Sequence, residues 1–260
     1  MPDSIYSGGI LLSPESHKHL TYTSIRKIPL VSSLSSAPLT VSEFRQASRE
    51  FPIFFADVNT GIAPIALLGL SPGENLFLNG QGAWTGDYIP ALFRQLPFFS
   101  TAIRDTGQVV LSVLPQAKSL RERGGGIRLF TDGGKATEFL DKVAAFTGGI
   151  FRDAVATQTF CDELQNLDVL EPSQARINLP DQKNRRLNGF KVVSRDKLNA
   201  LSDKQIALMS RNGFLEAIHL HWASVLNLEN LGNMALDRPV KANRKSDRFT
   251  SIATMAGPLS

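Results

Sequence analysis

Four histidines, one cysteine and a stretch crowded with aromatic rings are the parts of this 260-residue chain that could do chemistry. The histidines come as two His-x-His pairs, His17/His19 and His219/His221, a spacing that invites a metal reading. Side chains two apart share a face only in a strand. His219 and His221 fall in a predicted helix, where a two-residue step turns them about 200° from one another. His221 lands on the apolar face formed by Phe214, Ile218, Val225 and Leu228, which suits a hydrogen-bonded core histidine better than a ligand. No metal is expected. Cys161 is flanked by Phe160 and by Asp162 and Glu163, surroundings that raise a thiol's pKa, so it reads as a small core residue. The glycines from Gly124 to Lys135 do not make a phosphate loop, because Leu129 stands where that pattern needs glycine and Ala136 follows Lys135. Neither a Gly-x-Ser-x-Gly elbow nor a His-Glu-x-x-His helix is present, and no cofactor is expected.

The most unusual segment is Trp84-Thr-Gly-Asp-Tyr-Ile-Pro-Ala-Leu-Phe-Arg-Gln-Leu-Pro-Phe-Phe99. It holds five aromatic residues, two prolines, one acid and one arginine. Two readings fit it. In one it is a rigid core segment in which Arg94 satisfies carbonyls freed by the prolines. In the other it is a recognition groove, since aromatic rings beside a bidentate guanidinium suit extended peptides and carboxylates.

The elements that must position these residues can be read from periodicity and punctuation. A short strand is expected from Leu20 to Ile28, followed by a Ser-rich loop over 31–38 that ends in Pro38. Thr40 and Glu43 form a capping box that should start a helix, which Pro52 ends. Ile53–Ala56, Ile65–Leu70 and Leu76–Leu78 read as strands, with Asn79-Gly80 suited to a type I′ turn, so 53–85 looks like a small antiparallel meander. Further strands are expected at Gln108–Leu114, Ile127–Phe130, Arg176–Leu179 and Leu187–Val193. Helices are expected over Ala136–Phe146, with Phe139, Val143 and Phe146 on its apolar face, and over Phe151–Leu170, with Val155, Phe160, Leu164 and Leu167 on its own. Helical turns at Asp196–Leu201 and Ser202–Arg211, the second capped by Ser202, lead through a break at Gly213 to a last helix from Phe214 to Met234. Strands and helices alternate irregularly, without a steady βαβ rhythm. The fold class is therefore α+β: an antiparallel strand meander in the N-terminal half packed with helices, and a mixed strand and helix C-terminal half. A single domain over 1–236 is expected, with a sub-division near 115–126 as the alternative, followed by a basic, poorly ordered tail over 237–260.

Composition narrows the function classes. Hydrophobic residues at 42% and charged ones at 20% are those of an ordinary folded, water-soluble chain. The longest apolar run, Ile62–Leu70, is nine residues with Pro64 inside it, against roughly 20 for a spanning helix. A lone cysteine and a start without a secretory pattern fit a cytoplasmic location. Of the net charge of +4, +3 lies between Asp237 and Ser260, so the body lacks the basic stripe of a nucleic-acid surface.

Several short pieces, taken together, resemble the bacterial SapC family, named for a protein encoded with a paracrystalline surface-layer system. They include Pro38-Leu-Thr-Val-Ser-Glu-Phe44, Phe51-Pro-Ile-Phe-Phe55, Glu74-Asn-Leu-Phe77, Trp84 with Tyr88-Ile-Pro90, Arg94 with Pro97-Phe98, Leu198-Asn-Ala-Leu-Ser202 and His221 with Ser224. The resemblance covers about His17 to Leu231. Departures are Phe51 where tyrosine is usual, the polar Gly124-Gly-Gly126 stretch and the extended basic tail. No catalytic residue is carried over with it. It implies a non-enzymatic accessory factor for cell-surface or exported-protein pathways, with a peptide or protein partner. The alternative is an enzyme acting on peptides or small molecules. The candidate ligand-binding residues are Trp84, Asp87, Tyr88, Arg94, His17 and His221, and their convergence in one pocket is what would favour the enzyme.

Overall fold

The computed structural model describes residues 6–24, 31–59, 61–122, 124–177 and 185–237. Its first half runs β1 (Ile10–Leu11), α1 (Pro14–His17), β2 (Thr21–Tyr22), β3 (Ser36–Pro38), a 3-10 turn (Val41–Glu43), α2 (Phe44–Ala47), β4 (Ile53–Val58), β5 (Gly61–Leu67) and α3 (Ala91–Arg94). It continues with β6 (Phe98–Ala102), β7 (Val109–Val113), β8 (Leu120–Arg121), β9 (Ile127–Arg128) and the long helix α4 (Glu138–Asn166). The remainder is β10 (Leu170–Ile177), β11 (Arg185–Val193), α5 (Arg195–Asn199), α6 (Asp203–Arg211), α7 (Phe214–Ser224) and α8 (Asn227–Leu236). The strands form antiparallel sheets in the orders β10-β11-β4-β5-β3, β1-β7-β6 and β8-β2-β9, so the fold is α+β.

The continuous apolar run of β4 is covered on both faces, and Ile53, Phe54, Phe55 and Ala56 are all buried. Around it lies the larger core, with Phe44, Phe51, Leu67, Phe160, Leu164 and Ile218. Removing each such side chain from water contributes about 2 kcal/mol. A second core gathers Phe98, Phe99, Val113, Leu129 and Leu140 beneath the smaller sheets. One helix serves both: α4 places Leu140 and Val143 on the second core and Phe160, Cys161 and Leu164 on the first.

His221 occupies an unusual position in the large sheet. β11 and β4 pair through Lys191 and Phe55, and one further pleat would set Val193 opposite Ile53. Instead the imidazole stands between them. Its Nε2 accepts from the Val193 N–H at 3.2 Å and its Nδ1 lies 2.8 Å from the Ile53 carbonyl, so the proton is on Nδ1 and donates there. Ser224 Oγ takes the Ile53 N–H at 2.9 Å, and Trp222 Nε1 donates to the Val193 carbonyl at 2.8 Å. Three side chains of α7 thus satisfy all four peptide groups that the missing ladder step would have paired. His221 is the hydrogen-bonded core histidine that its apolar face suggested.

Several expected elements differ. The Ser-rich loop over 31–38 ends in β3, a buried edge strand where Pro38 is tolerated for want of an outer neighbour. The meander over 53–85 reduces to the β4–β5 hairpin, since Leu76–Leu78 forms no strand and meets its neighbours through a bridge from Leu78 to Trp84 and isolated bonds such as the Leu76 N–H to the Leu68 carbonyl. The turn between those two is not type I′: Asn79 Oδ1 accepts from Gln81 N and Ala83 N, and the positive φ falls at Gly82. The helix from Thr40 is a 3-10 turn followed by the short α2. The two helices expected over 136–170 are one, which runs through Gly148 and Gly149 because packing at both ends outweighs the propensity cost. Leu170 belongs to β10, and the last helix divides into α7 and α8. The expected strand ends beyond Ser24 and Ile177, and the tail beyond Asp237, lie outside the described residues.

Candidate functional site

The segment from Trp84 to Phe99 is built around two carboxylates. Glu50 accepts from the backbone N–H groups of Asp87 and Tyr88 at 2.9 and 2.8 Å, which holds the loop before α3. Gly86 allows that approach, because a Cβ there would sit 2.4 Å from Glu50 Oε1. Trp84 anchors the loop from the other side. It stacks on Phe77, meets Phe51 and Phe93 edge-on, and donates from Nε1 to the Tyr88 carbonyl at 2.9 Å.

Glu43, only 5% exposed, is the second carboxylate. Its Oε2 closes the capping box on the Thr40 N–H at 2.8 Å and also accepts from Thr40 Oγ1 at 2.9 Å. Its Oε1 accepts from the Ala91 N–H at 2.7 Å and from the Tyr88 hydroxyl at 2.9 Å. The residue that closes the capping box of the 3-10 turn therefore also fixes the start of α3 and the orientation of Tyr88. Burial, then the neighbouring Glu43 charge, raises the Tyr88 pKa, which keeps the phenol protonated and donating.

Above this floor opens a groove of about 530 Å³. One wall is Tyr88, Ala91 and Arg94, a second is the 3-10 turn and α2 with Ser42 and Gln46, and the third is the α4 face carrying Phe146, Gly149, Ile150 and Asp153. Arg94 donates to the Tyr88 hydroxyl at 3.2 Å and lies 5.3 Å from the Tyr88 ring centroid and 5.5 Å from that of Phe146. This corrects the role suggested for it: the guanidinium meets a phenol and two rings rather than freed carbonyls. Across the groove Asp153 accepts from Ser42 Oγ at 2.8 Å. Nothing packs tightly at Gly149, where a Cβ would meet, among the described residues, only the Arg152 side chain, at 3.9 Å. Together the loop and helix leave a half-polar trough with charged side chains at its rim.

Of the candidate residues, Tyr88 and Arg94 share the groove, and Trp84 and Asp87 lie in the loop that shapes it. The histidines do not join them. His17 sits buried at the end of α1, where Nδ1 is 3.0 Å from the Ser13 N–H. His221 is wholly buried in the sheet, and burial pushes its pKa down to about 4. Cys161 is buried too, and burial followed by the Asp162 charge pushes its thiol up to about 12. Sequence reasoning missed Glu43 as more than a cap, and missed Glu50 and Asp153 altogether. It assigned Phe146 and Val155 to buried faces, whereas they are 40% and 58% exposed. A visible signal was the Gly148-Gly149 pair between the two expected helices, costly in one continuous helix unless space beside it is wanted.

Fold and groove define an α+β protein with a trough between a long helix and an aromatic loop. Among the described residues no helix is long and apolar enough to cross a membrane. The family model for SapC matches residues 12–231, and the chain belongs to the SapC family. No curated protein and no solved structure matches it.

Proposed function

We propose that this protein is a binding factor that takes an extended peptide or protein segment in the groove beside α4, in service of cell-surface or exported-protein pathways. The observation that supports this reading is the state of Arg94. The guanidinium is exposed, close to two aromatic rings and oriented by the Tyr88 hydroxyl. Such an arrangement holds donors ready for an incoming acceptor at low entropic cost. The buried carboxylate beneath it is engaged in holding the surrounding segments. Glu43 already meets four donors, so its work is to hold the loop, and the surface above it is left for contact.

Selection from a random-dodecapeptide display library tests the proposal. The immobilised protein should enrich peptides, and Gly149→Trp, which fills the groove from an open helix position, should abolish the enrichment while leaving the thermal midpoint within a few degrees. No enrichment, or enrichment indifferent to Gly149→Trp, would overturn it.

A further inference from the structure

Three charged side chains line the groove: Glu43, buried in its floor and reached by Arg94 only through the Tyr88 hydroxyl, and at the rim Arg94 and Asp153, which form no ion pair among the described residues. Among the described residues the ion pairs are Arg45–Glu216, Arg128–Asp132, Lys142–Glu138, Lys191–Asp57 and Lys197–Asp168, and neither Arg94 nor Asp153 takes part. Both are nevertheless ordered, by neutral partners: Arg94 by the Tyr88 hydroxyl and two rings, Asp153 by the Ser42 hydroxyl. A guanidinium and a carboxylate lining one groove would attract each other if they could meet. The helix keeps them apart. Arg94 lies over Phe146, and Asp153 is seven residues further along α4, a rise of about 10 Å. The α4 face between them presents Gly149 and Ile150, one bare and one apolar.

We infer that the groove reads charge at two points: it binds an extended segment that places a carboxylate on Arg94 and a cationic group on Asp153, about three residues apart. The spacing is taken from the helical rise between Phe146, beside which Arg94 lies, and Asp153, since three extended residues span about 10 Å. A carboxylate suits Arg94 because a guanidinium presents paired N–H donors that a carboxylate accepts in parallel. Asp153 has lone pairs to spare, because a carboxylate offers about four acceptor sites and Ser42 occupies one. Gly149 supplies the third element. Without a Cβ on the helix surface, a peptide backbone can lie against α4 between the two charges. A volume of about 530 Å³ is that of a site for a short segment rather than a folded partner surface. The inference rests on the proposed peptide-binding role and specifies what such a peptide must carry.

An array of octapeptides with Glu and Lys one to five residues apart, in both orders, with neutral and single-charge controls, provides the test. The wild-type protein should favour one order at a separation of about three by at least tenfold over neutral peptides. Arg94→Gln, which keeps most of the stem, should erase the preference for Glu while retaining that for Lys, and Asp153→Asn should do the converse. Peptide binding without charge preference, or with a preference that neither variant alters, would overturn the two-point reading and leave the binding role standing. Failure of the wild-type protein to hold any peptide of the array at millimolar concentration would overturn both.

Discussion

A buried carboxylate with four donors is expensive to remove, because every donor it satisfies is left without a partner. Glu43→Ala should therefore destabilise the protein by about 3 kcal/mol, since each unmet buried donor costs about 1 to 3 kcal/mol and the site can admit some water. Glu43→Gln should cost less, and urea midpoints of the two variants measure the difference. A loss under about 1 kcal/mol for Glu43→Ala would show that the loop holds itself. His221 makes a second prediction at this scale. Its pKa falls from an ordinary 6.5 to about 4 because burial penalises the charged ring. Between those values the unfolded chain holds a proton there that the folded chain does not. Stability from this group is thus fully present above about pH 6.5 and is lost as the pH falls towards 4, by about 3 kcal/mol in all. His221→Gln should be less stable at neutral pH and lack this component. If wild type and variant lose stability in parallel between pH 7 and 4, the neutral ring is not what the sheet requires.

At the scale of elements, α4 is where sequence and structure diverge most usefully. Its helical character on either side of the glycine pair and its burial of Phe160 and Leu164 follow from pattern, as do β4, β7, β11, α6 with its Ser202 cap, and the break at Gly213. Elements that carry no pattern of their own and form because a distant partner meets them were not legible. β3 is a strand because β5 pairs with it, and α3 begins where Glu43, 48 residues earlier, accepts the Ala91 N–H. The groove was half legible. Trp84, Tyr88 and Arg94 stand out by composition, but their α4 wall looks like an ordinary amphipathic helix until the fold turns Phe146 outward. The glycine pair in that wall yields a prediction. Gly148 has ordinary helical backbone and room for a methyl group, with only Arg152 Nη1 near it among the described residues, at 3.7 Å. Gly148→Ala should therefore stabilise by about 0.5 to 1 kcal/mol through reduced chain entropy and better helix propensity. Gly149→Ala should do the same while weakening peptide binding, since its Cβ enters the groove. Denaturation midpoints read the first effect, and the display assay the second.

For the whole molecule the question is whether two cores behave as one body. The second core, around Phe98, Val113 and Leu129, shares little with the first beyond Leu96 and the continuous backbone of α4. That helix is a mechanical link. Phe139 and Leu140 near its start face the smaller sheets, while Phe160 and Leu164 near its end face the large one, so unfolding either core exposes one end of a helix whose other end remains packed. Such a shared element couples the two, and a single cooperative transition is expected, with far- and near-ultraviolet circular dichroism coinciding. Phe98→Ala and Phe160→Ala, which open cavities in different cores, should both lower that one midpoint. Gly148→Pro breaks the link in the middle, because proline removes a helical N–H and clashes with the carbonyl four residues before it, at a cost of about 3 kcal/mol. In that variant the transitions should separate, Phe98→Ala shifting one and Phe160→Ala the other. If Gly148→Pro still melts in one step, or the unaltered chain already melts in two, the coupling does not run through α4.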